Sequence, residues 1–213
     1  VNWLKDGGFI DVKHKPTELF VTLKKYGSFE FATLILWLNL CSNSSICNWY
    51  SQLEIGKYSR DDLECLLQAE FSNITSRSRS NALSSLLGTL KSTLLSSYFC
   101  MCTLGIVGKN IKSLSKSNSQ NVEPTALLYS IYQFAMAIGS YSFTLSQLID
   151  RNDKTASIHE LGINESQIKK MLLGLQEHRS RLVRVEFNAN LDNIFINKDY
   201  TATEALKAYL EGK

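Results

Sequence analysis

Leu182–Asn197 reads LVRVEFNANLDNIFIN. Val183, Val185 and Phe187 alternate with Arg184, Glu186 and Asn188. The chain turns polar at Asn188-Ala189-Asn190, and apolar residues return at Ile194 and Ile196. Alternation with period two, broken by an Asn-rich bend, predicts a β-hairpin. The rest of the chain reads as helical, so the neighbours of this hairpin decide the fold.

Just upstream, Asn164 is placed to cap the helix ESQIKKMLLGLQEH. Its core stripe is Ile168, Met171, Leu172 and Leu175, which leaves Gln167, Lys169, Lys170, Leu173 and Gln176 facing outward. Further upstream, Pro124 opens PTALLYSIYQFAMAIG and Gly139 closes it. Phe143 precedes a Thr144 cap and the short helix LSQLID. Arg151–Thr155 reads as a loop, and Ser157–Gly162 as a further short element. A last helix is expected over Thr203–Leu210, capped by Thr203. The order helix, short helix, helix, hairpin, helix is that of a winged helix, a form of helix-turn-helix.

The first half repeats the order without repeating the residues. Helices are expected over 28–42, 59–71 and 80–97, with an aromatic helical stretch at Cys47–Ile55. Ser59 caps the second of these helices, whose buried stripe is read as Leu63, Leu66, Leu67 and Ala69. In the third, Leu83, Leu86, Leu87, Leu90 and Leu94 recur at helical spacing, opposite Ser84, Ser85, Gly88 and Lys91. Strands are expected at Leu104–Val107 and Asn110–Leu114 around Gly108-Lys109. The expected fold class is mainly α with short β-hairpins, in a tandem winged-helix (helix-turn-helix-like) architecture. Its parts are an N-terminal extension at 1–27, a first winged-helix-like domain at 28–118 and a second at 122–213. Thr17–Lys25 forms a short helix within the extension, and the polar run at 116–121 marks the boundary.

The 213 residues are 44% hydrophobic and 20% charged, which fits a folded chain rather than a disordered one. The most apolar run, Phe31–Leu40, is too short to span a bilayer, so no membrane role is expected. Five cysteines at 41, 47, 65, 100 and 102 fit no disulfide framework. Cys65 and Cys100 lie among apolar neighbours and read as reduced core thiols, hence a cytoplasmic protein. Cys100-Met101-Cys102 lacks zinc spacing and a second pair, so no metal and no cofactor is expected.

The net charge is only +3, but it is unevenly spread. Phe71–Val122 contains no Asp or Glu, yet carries Arg77, Arg79, Lys91, Lys109, Lys112 and Lys116. A second cluster holds Lys169, Lys170, Arg179, Arg181 and Arg184 against Glu177. Concentrated positive charge suits a polyanion, and DNA is the expected partner. Arg77, Arg79 and Ser80 stand where a helix N-terminus can hold a phosphate. Gln167 and Gln176 are of the type that reads adenine edges. The candidate DNA-binding residues are therefore Arg77, Arg79, Ser80, Lys91, Lys109, Lys112, Gln167, Lys169, Lys170, Arg179, Arg181 and Arg184.

Winged helices also serve as protein adaptors, and fold alone does not choose. Leu173, Trp49, Tyr50 and Tyr141 would then form exposed apolar patches. Catalysis is not expected: His14, His159 and His178 lie far apart in sequence and sit in no nucleophile or metal motif.

Four stretches carry a resemblance to a known family. They are Leu36-Trp37-Leu38-Asn39-Leu40 with Cys47-Asn48-Trp49-Tyr50; Tyr58-Ser59-Arg60-Asp61-Asp62-Leu63; Leu104-Gly105-Ile106 leading to Pro124-Thr125-Ala126-Leu127-Leu128-Tyr129; and Phe143-Thr144 through Leu172-Leu173-Gly174-Leu175. Together they resemble a bacterial domain-of-unknown-function family. Its members are encoded beside phosphoadenosine-phosphosulfate-reductase-like proteins in DNA phosphorothioation and phage-defence gene clusters. Members tend to have a His where Asn39 stands and an Arg-Asp pair near Asn81-Ala82. The resemblance implies a DNA-associated accessory factor, with protein partners of the same system, and assigns no catalytic residue.

Overall fold

The computed structural model describes residues 2–150, 157–188 and 191–212. The expected loop Arg151–Thr155 and the centre of the bend at 189–190 lie outside them. Among the described residues, α1 (Asn2–Asp6), α2 (Glu18–Tyr26), α3 (Phe29–Asn43) and α4 (Ser45–Gln52) come first. Then follow β1 (Gly56–Ser59), α5 (Arg60–Glu70), α6 (Ser76–Ser92), α7 (Leu94–Ser97), β2 (Cys102–Val107) and β3 (Asn110–Lys116). The second half is α8 (Pro124–Ile138), β4 (Ser142–Thr144), α9 (Leu145–Leu148), a 3₁₀ turn (Ser157–Leu161), α10 (Glu165–Arg179), β5 (Val183–Asn188), β6 (Leu191–Ile196) and α11 (Ala202–Glu211).

The chain is mostly helical with two small antiparallel sheets, in the orders β1-β3-β2 and β4-β6-β5. Each half thus runs strand, helices, hairpin, and the early strand pairs with the last strand of the hairpin. The LVRVEFN segment is β5, and Val183 and Val185 face the core while Arg184 and Glu186 face out. Side chains close the helix starts. Ser59 with Asp62, Thr144 with Gln147, and Asn164 with Gln167 form reciprocal capping boxes. Gly139 ends α8 at φ 67°, a backbone angle that a side chain disfavours.

Several expectations are corrected. β1 and β4 were not legible as strands. The helix expected over 80–97 starts earlier, at Ser76, because Thr75 caps it, and breaks at Thr93 into α6 and α7. The final helix is capped by Thr201, whose box partner is Glu204, not by Thr203. In α5 only Leu63 and Leu67 are buried, whereas Leu66 and Ala69 are exposed, because this short helix packs on one narrow side. Leu94 and Met171 are half-buried rather than core. All five thiols are free, but Cys65 is exposed and Cys100 is partly exposed, and the buried ones are Cys41, Cys47 and Cys102. Trp49 and Tyr50 are buried too, so they form no exposed patch.

One continuous apolar core runs from Phe9 to Leu210 and takes side chains from both halves. α3 lies at its centre. Phe31, Leu34, Ile35, Trp37, Leu38, Leu40 and Cys41 are buried around most of its circumference, as expected of a helix with neighbours on several sides. Trp37 Nε1 donates to the Glu160 carbonyl across the halves at 2.9 Å. Among the described residues no helix is long and apolar enough to cross a membrane.

Candidate nucleic-acid interface

α6 buries Leu83, Leu86, Leu87 and Leu90 along one side. At 100° per residue, Arg77, Asn81, Ser84, Gly88 and Lys91 fall within an arc of about 80° on the opposite side. Arg77 and Lys91 are exposed at the two ends of this row, about 21 Å apart along the axis at 1.5 Å per residue. Neither has an ion pair or side-chain hydrogen bond among the described residues. A Cβ on Gly88 would meet nothing within 4 Å, so packing within the chain does not require glycine there. Glycine costs a helix interior about 1 kcal/mol relative to alanine. Arg60 reaches the edge of the row, with Nη2 donating to Ser84 Oγ at 2.8 Å and Nε pairing with Glu64 at 3.1 Å.

Arg79 and Ser80 lie on the other side of α6, towards α5. Arg79 Nη1 donates to the carbonyls of Phe71 and Ile74, which closes the turn after α5. Ser80 Oγ approaches Glu64 Oε1 at 3.5 Å. Both line a groove with Asp61, Glu64, Cys65 and Gln68. They join two helices and do not stand beside Arg77 as an open phosphate cradle.

The first hairpin adds two further cations. A two-residue turn, Gly108-Lys109, links β2 and β3, with Gly108 at φ 62°. Lys109 and Lys112 are exposed. Lys91 shares a shallow pocket with Ser96, Thr103 and Ile106, so the C-terminal end of the α6 row meets β2. The sixth cation of the tract is used inside the fold. Lys116 Nζ donates to the carbonyls of Tyr50, Ser51 and Leu53 at 2.9, 2.8 and 2.6 Å, and so caps the end of α4.

In the second half most of the expected contacts are engaged internally. Gln167 Oε1 accepts from the Asn164 backbone at 2.9 Å, and Gln176 Oε1 accepts from the Val185 N–H at 2.5 Å. Lys169 bridges Asp192 at 2.7 Å and Glu165 at 3.0 Å, which ties α10 to the β5–β6 hairpin. The Asp192 hydrogen bond, followed by Glu165, raises the Lys169 ammonium above its ordinary value. Arg179 Nη1 donates to the His178 carbonyl at 2.8 Å and Nη2 to the Gly212 carbonyl, with the guanidinium over the Tyr209 ring. Arg184 lies 3.4 Å from Glu186 and stacks over Phe195. Lys170 and Arg181 are exposed and have no such partners among the described residues. Lys170 stands on an outer face with Ser166, Leu173 and Glu177, of mixed character rather than basic. Leu173 is 46% exposed and Tyr141 38%.

A separate polar site lies inside the core, where the two halves meet. Glu160 is 5% exposed, and its Oε2 has no hydrogen-bond partner among the described residues. It lines a cavity of about 10 Å³ with Trp37, Tyr50, Lys116, Ser119 and His159. Burial pushes the Glu160 carboxyl well above the usual carboxylate range. The folded chain therefore holds this proton at pH values where the unfolded chain has released it. Stability is expected to fall as pH rises from the ordinary carboxylate range to the raised value. Glu160→Gln, neutral throughout, is expected to match the wild type near pH 4 and to exceed it at pH 8. Urea midpoints across that range check this; a parallel loss with pH in both chains would count against it.

Among the described residues no three His, Cys, Asp or Glu side chains come together as metal ligands. No family model matches the sequence, and no curated protein matches it. Among solved structures the chain is similar to SspB. It superposes on one SspB crystal structure with a TM-score of 0.68 at 11% identity, covering 99% of this chain and 74% of that one. Magnesium ion-bound SspB gives a TM-score of 0.69 at 10% identity over the same shares. The likeness is one of fold.

Proposed function

We propose that the chain is a DNA-binding accessory protein of a bacterial DNA-modification system of phosphorothioation type, or of an anti-phage defence system. The reading takes each half as a winged helix, with α6 and α10 as the third helices and β2–β3 and β5–β6 as the wings. The order of elements and the pairing of β1 with β3 and β4 with β6 support it. The sequence resemblance to the phosphorothioation-cluster family supports the cellular setting, and the SspB-like fold extends over nearly the whole chain.

One observation carries the DNA reading. Arg77, Lys91, Lys109 and Lys112 are all exposed, in a stretch from Phe71 to Val122 that contains no acid. Phosphate is the partner that such a surface fits. Gly88 leaves the middle of the row open to close approach. The working surface is thus the first half, with Lys170 and Arg181 as two further exposed cations in the second half.

Anisotropy titrations of a duplex at several salt concentrations test this. Each phosphate contact contributes about −0.9 to the slope of log K against log salt. The triple variant R77A/K91A/K109A is expected to flatten that slope by about 2 to 3 and to weaken binding to all sequences alike. Absence of binding at low salt, or a slope left unchanged by the triple variant, would overturn the proposal. The adaptor reading rests on Leu173, exposed on α10. Leu173→Asp would then break a protein complex that survives nuclease treatment.

A further inference from the structure

We infer that the β2–β3 hairpin is a wedge for the DNA minor groove: Ile106 and Val107 press between base steps while Lys109 and Lys112 hold the flanking phosphates. This rests on the DNA reading above and specifies how the first half would engage the duplex.

The argument starts from the sheet. β1 pairs with β3 only from Gly56↔Lys116 to Ser59↔Ser113. Beyond Ser113 the hairpin is two-stranded and stands clear of the third strand. The register shifts between Gly105 and Ile106, where Lys112 of β3 is left without a partner on β2, so the regular ladder is interrupted just before the tip. Two consecutive aliphatic residues then face solvent, Ile106 at 44% and Val107 at 66% exposure. Ile111 lies opposite Ile106. Lys109 occupies the turn and Lys112 the return strand, and 106–112 contains no acid.

The other hairpin is built differently. Its Asp192 is held by Lys169 of α10, and Phe187 lies beneath the same ammonium. That hairpin is fastened to its own helix and bears an acid. Among the described residues the first has no ion pair to α6, and its charged side chains are all cations. Exposed aliphatics on an uncovered strand end are a liability that proteins usually suppress with charge. Here lysines flank them, and the pair matches a groove with phosphates at its rims and stacked bases at its floor. Minor-groove binders use Ile, Leu and similar side chains in this way to unstack and kink a step. With α6 along the major groove, the wing falls on the adjacent minor groove, as in other helix-and-arm readers.

The test uses the full chain and duplexes carrying 2-aminopurine at a central TA step, the kind of step that unstacks most readily. Binding of the wild type is expected to raise 2-aminopurine fluorescence. Ile106→Ser/Val107→Ser is expected to bind about tenfold more weakly, to lose the fluorescence rise and to keep the salt slope. Val107→Lys is expected to keep or gain affinity through added charge while losing much of the rise. Both positions are exposed, so circular dichroism melts should match the wild type. Three outcomes would overturn the wedge. They are wild-type binding without a fluorescence rise at any step of the site, a double variant that behaves as wild type on DNA, or a double variant that keeps its DNA binding and loses only a wild-type affinity for phosphatidylserine vesicles, which would assign the apolar tip to a lipid surface. Failure of the wild type to bind any duplex at low salt would instead remove the DNA reading itself.

Discussion

Trp37→Ala is expected to lower the free energy of unfolding by about 3–5 kcal/mol, the range for a large aromatic lost from a core. Trp37 is 1% exposed, and it packs edge-on against Tyr50 with ring centroids 5.7 Å apart. Its Nε1–H donates to the Glu160 carbonyl, so removing the indole opens a cavity and also orphans that carbonyl. Trp37→Phe separates the two effects. Phenylalanine retains much of the ring volume and loses the donor, and about 1–2 kcal/mol is expected from it. Urea titrations followed by circular dichroism measure both. A loss below about 1 kcal/mol for the alanine variant would mean that the two halves do not depend on this contact.

Asn39→Leu is expected to cost about 3 kcal/mol although leucine has nearly the right volume, because polar partners are stranded. Asn39 is 5% exposed in the middle of α3. Its Nδ2 donates to the Gly7 carbonyl at 2.8 Å. Its Oδ1 accepts from Tyr129 Oη–H at 3.0 Å and from Gln133 Nε2 at 2.8 Å. The node ties the N-terminal segment, α3 and α8 together. Burial pushes the Tyr129 hydroxyl up to about 12, so it stays a donor throughout the neutral range. A neutral histidine has one donor and one acceptor. Asn39→His can therefore serve Gly7 and one α8 partner, and it is expected to cost less than leucine. The resembling family tends to have histidine at this position. Equal losses for the two variants would show that packing, not polar satisfaction, governs the site.

The helices and both hairpins were legible because their signals are local. Asn164 and Gln167, or Ser59 and Asp62, are three residues apart, and each pair announces a helix start without any knowledge of the fold. β1 and β4 were not legible. GKYS and SFT are too short to show alternation, and they are strands only because β3 and β6 lie beside them. The candidate surface was half legible for the same reason. Absence of acid from 71 to 122 is a property of the sequence, and it pointed to Arg77, Lys91, Lys109 and Lys112. The fate of Arg179 depends on Gly212, that of Lys169 on Asp192 and that of Lys116 on Tyr50, none of them a sequence neighbour. A count of cations assigns all of them to the surface. The folded chain uses several to close carbonyls and fasten a hairpin. Cys65 misled for a related reason: its apolar neighbours in sequence lie on two sides of α5, and only one side is buried.

That misplaced thiol has a practical consequence. Burial raises the Cys41, Cys47 and Cys102 thiols, which keeps them protonated and slow towards electrophiles. Cys65 is open to solvent on α5, in the groove with Arg79. A maleimide dye placed there, with Cys100 replaced by serine, would sit across α6 from the Arg77–Lys91 row. Single-molecule energy transfer to a labelled oligonucleotide could then report the chain's orientation and polarity on it while leaving the proposed contact face untouched.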